Sequence, residues 1–302
     1  MIFESNGKIL LTSEYLVLDG AISLALPSKL TQELFVEKID ADYLHWVSYD
    51  NNKSIWYEER FFKNGKSIIY EGEKNNISDR IISLFNHIHS YTDIDKSFGK
   101  KFISKINFNR DWGLGSSSTL VNNLAKWANI NAYDLLFSSF EGSGYDIACC
   151  DKSSPIIYSN KNNTINVSET KFNPHFKKNL FLVYLGNKQN TQESIFSYNK
   201  LQFDKVSAVK KINKLTKEII ICTDLSEFEK LIERHENMIS KIINIDPIQK
   251  STFSDYNKGI VKSLGSWGGD FILVSGEKED LNYFRDKGYN TIYDLEDLVY
   301  LN

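Results

Sequence analysis

A glycine- and serine-rich segment carries the strongest chemical signal in this chain of 302 residues. Residues 113–118 read Gly-Leu-Gly-Ser-Ser-Ser and lie between a predicted strand and a predicted helix. Glycines let the backbone approach a ligand closely, and the N–H groups at the start of a helix attract anions. Serine oxygens can bond to a phosphate or bind magnesium. The segment predicts a phosphate-binding loop, and its structural alternative is a glycine turn with a serine N-cap.

Three further segments place a charged residue next to glycines. Asp146 follows Gly144, where a carboxylate near phosphates could accept or position the proton of a substrate hydroxyl. Lys8 stands after a glycine in an otherwise apolar strand, so it must be paired or lie at an opening. Residues 265–270 place three glycines and an aspartate before a predicted strand. Each segment also has a structural interpretation: a helix cap, a sheet-edge lysine and a tight turn.

Apolar periodicity predicts the elements that position these segments. Short apolar runs near the N-terminus predict an antiparallel sheet, with strands that include residues 7–11, 15–18 and 22–26. Apolar residues at helical spacing predict helices over residues 78–89, 120–128, 132–140, 206–219 and 225–242. Ser78 is predicted to cap the first of these helices, and Asp224 stands at the start of the last. A turn-rich stretch at residues 160–173 predicts a boundary between two halves. The chain is therefore predicted to be an α+β protein with glycine-rich loops in both halves.

Composition and charge exclude several classes of protein. Lys and Arg number 36 against 39 Asp and Glu, and the net charge of −3 argues against a broad nucleic-acid surface. Hydrophobic residues make up 41% of the chain, which argues against disorder. The apolar stretch at residues 9–26 contains Glu14 and Asp19, so neither a signal peptide nor a membrane span is predicted.

The cysteines and one histidine are predicted to be structural. Cys149, Cys150 and Cys222 form no CxxC pair, which excludes a disulfide framework or a zinc knuckle and fits a reducing cytoplasm. The adjacent pair is predicted to consist of small packing residues beside Asp146. His235 falls on the apolar face of its helix and is predicted to be packed rather than catalytic.

Four segments, in this order along nearly the whole chain, resemble the GHMP small-molecule kinases, the family of galactokinase, homoserine kinase, mevalonate kinase and phosphomevalonate kinase. Residues 7–15 resemble the first family motif, and residues 113–117 match the phosphate loop letter for letter. Residues 144–148 resemble the aspartate segment, and residues 265–270 resemble the third motif. The ending Gly-Gly-Asp, with Lys262 before it, is closest to the phosphomevalonate kinases.

The resemblance implies a fold and an activity. It implies two α+β domains around a central cleft, with an N-terminal nucleotide-binding domain over residues 1–172 and a ferredoxin-like C-terminal domain over residues 173–302. It implies a cytoplasmic enzyme that uses ATP and Mg²⁺ to phosphorylate a small acidic metabolite, without nucleic-acid or membrane partners. Phosphomevalonate is the favoured substrate. Three alternative functions stay open: a mevalonate kinase, a different GHMP metabolite kinase, and a degenerate member that binds nucleotide without transferring phosphate. A homodimer also stays open.

The resemblance also assigns roles to individual residues. Asp146 matches the catalytic aspartate, Lys8 matches the lysine that orients or activates the substrate hydroxyl, and Ser117 matches the serine that helps to hold magnesium. The residues implied to bind the ATP phosphates are Gly113, Leu114, Gly115, Ser116, Ser117 and Ser118. The residues implied to bind substrate are Glu14, Tyr15, Ser143, Gly144, Lys188, Gly268, Gly269 and Asp270.

The chain departs from the family pattern at three places. Ser13 stands where a glycine is usual before Glu14. Ser266 and Trp267 replace two small residues of the third motif, and a tryptophan cannot follow the same close backbone path. Leu135 stands where mevalonate kinases carry a metal-binding glutamate, so the second metal ligand is unassigned.

Overall fold

The computed structural model describes residues 1–187 and 191–302, which divide into two compact units. Unit 1 comprises Met1–Gly7, Leu30–Arg110 and Gly115–Asp151. Unit 2 comprises Lys8–Lys29, Asp111–Leu114 and Lys152–Asn302. Each unit is therefore built from separate stretches of chain, whereas the predicted domains are continuous. The division into domains at residues 172 and 173 stays a prediction.

The described residues form a mixture of strands and helices, as the apolar periodicities predict. The strands are β1 (Ile2–Leu10), β2 (Ser23–Lys38), β3 (Leu44–Tyr49), β4 (Ile55–Asn64), β5 (Ser67–Tyr70), β6 (Lys100–Ile106), β7 (Ile156–Lys161), β8 (Thr164–Glu169), β9 (Leu180–Tyr184), β10 (Val261–Ser263), β11 (Phe271–Ser275) and β12 (Ile292–Asp294). The helices are α1 (Asn76–His89), α2 (Ser116–Ala128), α3 (Ala132–Ser139), α4 (Tyr145–Cys149), α5 (Thr191–Asn199), α6 (Lys205–Ile221), α7 (Leu225–Ile243), α8 (Ile248–Ser251), α9 (Asn282–Asp286) and α10 (Leu295–Leu298).

Unit 1 is built on a sheet in the order β5-β4-β3-β6-β2, to which α1, α2 and α3 add a helical layer. The sheet is mixed rather than purely antiparallel, because β3 runs parallel to β6. Parallel neighbours need a long crossover, and the chain between β3 and β6 includes α1. The core is aromatic: Phe102 stacks on Trp46 with ring centroids 5.8 Å apart and meets Trp127 edge-on at 4.8 Å.

Unit 2 contains an antiparallel four-stranded sheet in the order β10-β11-β9-β12. Its two central strands, β9 and β11, are almost continuously apolar, which is typical of strands buried on both faces. The first residues of β2 pair with β7, and β7 pairs with β8. Helices α6 and α7 pack against each other through apolar faces. Asp224 caps α7 as its position predicts, accepting a hydrogen bond from the Glu227 N–H at 2.9 Å.

Three local predictions differ from the structure for identifiable reasons. The predicted strand over residues 15–18 is a short 3-10 helix, Leu16–Asp19, entered through Tyr15 at φ +62°. The turn-rich stretch at residues 160–173 contains β8, because Asn162 and Asn163 both take positive φ and close a tight hairpin with β7. Helix α1 is capped by Asn75, which accepts from the Ser78 N–H at 2.8 Å, rather than by Ser78.

In the parts of the chain that the structure describes, no helix combines the length and apolarity needed to cross a bilayer.

Candidate active site

The predicted phosphate loop leads directly into the first turn of α2. Gly113 and Gly115 take left-handed φ values of +66° and +88°, which explains why both positions are glycine. Gly115 is the N-cap and makes no side-chain hydrogen bond to the helix, so the alternative with a serine N-cap is wrong. A helix start without a side-chain cap directs its N–H groups and positive dipole end outward, as anion binding requires.

The three serines of the loop differ in exposure. Ser117 is exposed, whereas Ser118 and the neighbouring Leu114 are buried, with 9% and 2% of their surface exposed. Ser116 is half-buried. An exposed hydroxyl oxygen at a helix start is accessible to a hard cation, which is the role predicted for Ser117.

A buried polar network anchors the start of α2 to the sheet of unit 1. The Thr119 hydroxyl donates to Gln32 Oε1, and Gln32 Nε2 donates to Ser104 Oγ at 2.7 Å. Asn123 Nδ2 donates to the backbone carbonyl of Gln32 at 2.8 Å. These buried groups have partners, so the network restricts the position of the loop end rather than destabilising the core.

Asp146 is the second residue of α4, and the helix is capped by Gly144 at φ +89°. The Cys150 thiol lies 3.4 Å from the Asp146 carbonyl and 3.9 Å from the Ser118 carbonyl, so it links α4 to the start of α2. Burial, with the nearby Cys149 and acidic groups, raises the pKa of the Cys150 thiol well above its ordinary value and keeps it protonated. Both cysteines are buried, which fits their predicted packing role. Ser143 is also buried, at 7%.

Four of the predicted site residues lie together in unit 2, at the beginning of the loop. Lys8 Nζ donates to the Gly113 carbonyl at 2.9 Å, and the Lys8 N–H donates to the Leu114 carbonyl at 3.0 Å. A Cβ atom on Gly113 would lie 2.3 Å from Asp270 Oδ2, so the Asp270 carboxylate already fills that space. Lys8 is half-buried rather than a surface lysine at a sheet edge, and its predicted pairing with Asp146 or a phosphate stays a prediction.

The first family motif contains strained backbone. Ser13 has φ +67°, which explains why a glycine is usual there, and Tyr15 has φ +62°. Non-glycine residues in this region cost about 1–3 kcal/mol each and persist only where their surroundings hold them. Tyr15 stacks on Tyr198 with ring centroids 5.3 Å apart, and its hydroxyl accepts from the Trp267 N–H at 3.2 Å.

Glu14 lies in a buried ionic cluster that the sequence did not reveal. Its carboxylate is 1% exposed and contacts Nζ of the fully buried Lys262 at 2.5 Å. Glu236, on α7, contacts the same Nζ at 3.1 Å. The predicted packing of His235 is confirmed, since its side chain is 0% exposed. The one available signal was a lysine inside the apolar strand that precedes the third motif.

The third motif accommodates its tryptophan by burying it. Trp267 is 6% exposed, and Gly265 and Gly268 on either side take left-handed φ values of +64° and +97°. Asp270 also has a left-handed φ of +55°, and its N–H donates to the Asn187 carbonyl at 2.7 Å. The ring is thus buried rather than exposed to solvent.

The predicted site residues divide between the two units. Unit 1 holds Gly115, Ser116, Ser117, Ser118, Ser143, Gly144 and Asp146. Unit 2 holds Lys8, Glu14, Tyr15, Gly113, Leu114, Gly268, Gly269 and Asp270. Lys188 lies outside the described residues.

Comparison of the whole fold with solved structures gives clear likenesses. Mevalonate kinase from Methanococcus jannaschii has a TM-score of 0.68 at 17% identity, covering 100% of this chain and 98% of that one. Phosphomevalonate kinase from Streptococcus pneumoniae, solved with phosphomevalonate and AMPPNP, has a TM-score of 0.70 at 12% identity, covering 98% and 100%. Galactokinase from Lactococcus lactis, solved with galactose, has a TM-score of 0.70 at 11% identity, covering 99% and 93%.

These likenesses establish the fold. The chain has the two-domain α+β fold of the GHMP kinases, which confirms the predicted fold class. No protein-family model matches the sequence. No curated protein is similar to it in sequence.

Proposed function

We propose that this protein is a GHMP-type kinase that transfers the γ-phosphoryl group of ATP to a small acidic metabolite. One observation carries the proposal. Two glycines with left-handed φ, Gly113 and Gly115, lead into α2. The helix begins without a capping side chain, and the exposed Ser117 in its first turn supplies a hydroxyl oxygen. An anion-binding helix start on this fold is what a phosphotransferase of this type requires.

Each charged residue has a role suited to its place. Asp146, in the first turn of α4, accepts or positions the proton of the acceptor hydroxyl. Lys8, held by the Gly113 carbonyl, presents a cation beside the phosphate loop. Loose phosphoryl transfer depends mainly on positioning and charge stabilisation, and both residues supply these.

The exposed Ser117 hydroxyl suits a magnesium ion, which prefers oxygen ligands. When bound, the ion neutralises charge on the ATP phosphates. The protein's own contribution is the fixed start of α2, held through the buried bond from Thr119 to Gln32. Among the described residues, no group of three His, Cys, Asp or Glu side chains is arranged to hold a metal ion.

Phosphomevalonate is the substrate that we favour, because the Gly-Gly-Asp ending of the third motif and the preceding Lys262 resemble the phosphomevalonate kinases. Mevalonate kinase and galactokinase structures match the fold as closely, so the fold does not separate the substrates. Assay of ADP release with phosphomevalonate, mevalonate, galactose and homoserine tests the assignment. Turnover with phosphomevalonate at least about tenfold above the others is expected, which is 1.4 kcal/mol of discrimination. A higher turnover with any other acceptor would reject this substrate.

A second substrate test concerns Lys188. As an amine in the segment after β9, it is proposed to bind the acidic group of the acceptor. Lys188→Ala should raise the KM for the acceptor much more than the KM for ATP, while Lys178→Ala, at an exposed position, should change neither. Equal effects of Lys188→Ala on both KM values would reject the contact.

The buried Trp267 favours one alternative from a different class, a protein that binds nucleotide without transferring phosphate. Calorimetric titration with MgATP separates the two. Binding of MgATP without ADP release on any of the four acceptors would support the binding protein, and turnover would reject it.

A further inference from the structure

A buried ammonium group in unit 2 has all its protons paired. Lys262 Nζ donates to Glu14 Oε1 at 2.5 Å, to Glu236 Oε1 at 3.1 Å and to the Ser263 carbonyl at 2.8 Å. Its side chain is 0% exposed. Three protons and three acceptors complete the coordination of the ammonium, which a buried charge requires.

Glu236 and His235 extend this cluster to two backbone segments. Glu236 Oε2 accepts from the Ser263 N–H at 3.1 Å, at the end of β10. His235 Nε2 accepts from the Ser13 N–H at 2.8 Å. Because Nε2 is an acceptor, the neutral ring carries its proton on Nδ1, which lies 3.9 Å from Glu236 Oε1. Two adjacent residues of α7 therefore hold residues 13 and 263.

Burial and the neighbouring charges shift the pKa values of all three charged groups in the cluster. Burial raises the pKa of Glu14, and this outweighs the lowering by Lys262. Burial opposes ionisation of Glu236 as well, but Lys262, His235 and the Ser263 N–H outweigh it and lower its pKa. Burial lowers the pKa of Lys262, yet the two carboxylates outweigh burial and raise it. The favoured state pairs the Lys262 cation with the Glu236 anion, while Glu14 keeps its proton more readily.

The segment held by His235 is the strained one. Ser13 and Tyr15 both have left-handed φ values, and Glu14 between them is fixed by Lys262. Beyond it, the Tyr15 hydroxyl accepts from the Trp267 N–H at 3.2 Å. A continuous series of contacts thus runs from α7 through the first motif to the third motif.

We propose that His235, Glu236 and Lys262 are positioning residues that hold the first and third motifs in their reactive arrangement through Glu14, Tyr15 and Trp267. Glu14 then acts as part of this cluster rather than as a direct ligand of the substrate. The proposal rests on the proposed function for its kinetic consequence. Its structural consequence, the ordering of residues 13–15 and 264–267, does not depend on activity.

The experiment compares two substitutions at one position. His235→Gln keeps an oxygen that can accept from the Ser13 N–H, whereas His235→Leu removes the acceptor. Ile239→Val is a matched control, one helical turn away in α7 and equally buried at 1% exposure. For each variant, kcat and both KM values are measured, together with amide hydrogen exchange over residues 11–18 and 262–268.

We expect His235→Leu to lower kcat/KM for the acceptor by roughly tenfold or more, because small misplacements of reacting groups cost rate steeply. The KM of His235→Leu for ATP should stay within about twofold of the wild-type value. The kcat/KM values of His235→Gln and Ile239→Val for the acceptor should stay within about threefold of the wild-type value. Exchange should rise in both segments for His235→Leu alone. If amide exchange in these two segments is the same for His235→Leu as for Ile239→Val, the proposal is overturned.

Failure of the proposed function has a different signature. Wild-type protein would then release no ADP with any acceptor, while the exchange experiment still reports on positioning. Faster exchange confined to residues 11–18 and 262–268 in His235→Leu would support the cluster as an ordering device. Unchanged exchange there would reject it whether or not the protein is a kinase.

Discussion

At the start of α2, an uncapped helix end and an exposed Ser117 leave polar groups outward-facing, whereas around Lys262 each ammonium proton has a protein acceptor. The first region is built from glycines and helix ends. The second is built from long charged side chains that are removed from water. Both regions place charge, but only the first is proposed to bind a ligand.

The two regions are expected to have different roles, ligand binding at the start of α2 and structural support around Lys262. Unsatisfied donors at a helix start are tolerated because water or an anion can reach them. The protons of a buried ammonium group must be paired within the protein, because leaving one unpaired is costly, and all three protons of Lys262 have an acceptor. Substitutions in the first region should therefore change activity, and substitutions in the second should first change stability.

The largest effect is expected at the buried lysine. Lys262→Met leaves two buried carboxylates without their cation and should lower the free energy of unfolding by about 3–5 kcal/mol. Lys214→Met, at a lysine with 76% of its side chain exposed, should change it by less than about 0.5 kcal/mol. Urea unfolding measures both. Adding Glu236→Gln to Lys262→Met should recover part of the loss, and equal stability of the two lysine variants would contradict the comparison.

The next effect concerns catalysis alone. Asp146→Asn should lower kcat by about a hundredfold or more, with a similar KM for ATP, because it removes the group that we propose to act on the acceptor hydroxyl. The unfolding free energy should change little. Asp134→Asn, at an exposed position of α3, is the control and should retain full turnover. Unchanged turnover of Asp146→Asn would remove this residue from the mechanism.

A third test separates backbone strain from crowding at the loop. Gly113→Ala and Gly65→Ala both place a side chain at left-handed φ, +66° and +62°, which costs about 1–2 kcal/mol. Nothing lies within 4 Å of the new Cβ at Gly65, whereas at Gly113 it would meet the Asp270 carboxylate. Thermal unfolding and the KM for ATP should therefore change more for Gly113→Ala. Identical melting temperatures for the two variants would show that Asp270 moves aside freely.

The smallest predicted effect concerns magnesium. Ser117→Ala removes one oxygen donor and should raise the magnesium concentration for half-maximal activity at least about threefold, with stability unchanged. Ser138→Ala, at an exposed position of α3, serves as the control. A magnesium titration that superimposes on the wild-type curve would assign Ser117 to phosphate binding alone.

Local features of the sequence predicted much of the first region. The pattern of strand, glycine-serine loop and helix placed the phosphate loop before α2, and Asp224 at the start of an apolar periodicity placed α7. These signals work because capping, left-handed glycines and helical periodicity depend on residues within a few positions of one another. The 3-10 helix at Leu16–Asp19 and the Asn162–Asn163 hairpin were missed because a positive φ at a non-glycine residue has a weak sequence signal.

The sequence by itself determined the α+β composition, the residue types of the phosphate loop and the aspartate that follows Gly144. Only the tertiary structure decided that Lys262 is buried against Glu14, which is 248 positions away in the chain, and that His235 holds Ser13. The physical reason is that charge burial depends on partners delivered by distant segments. Helices and turns depend on residues that are close along the chain. Contacts between charged side chains inside a core form only when distant segments come together in the folded protein.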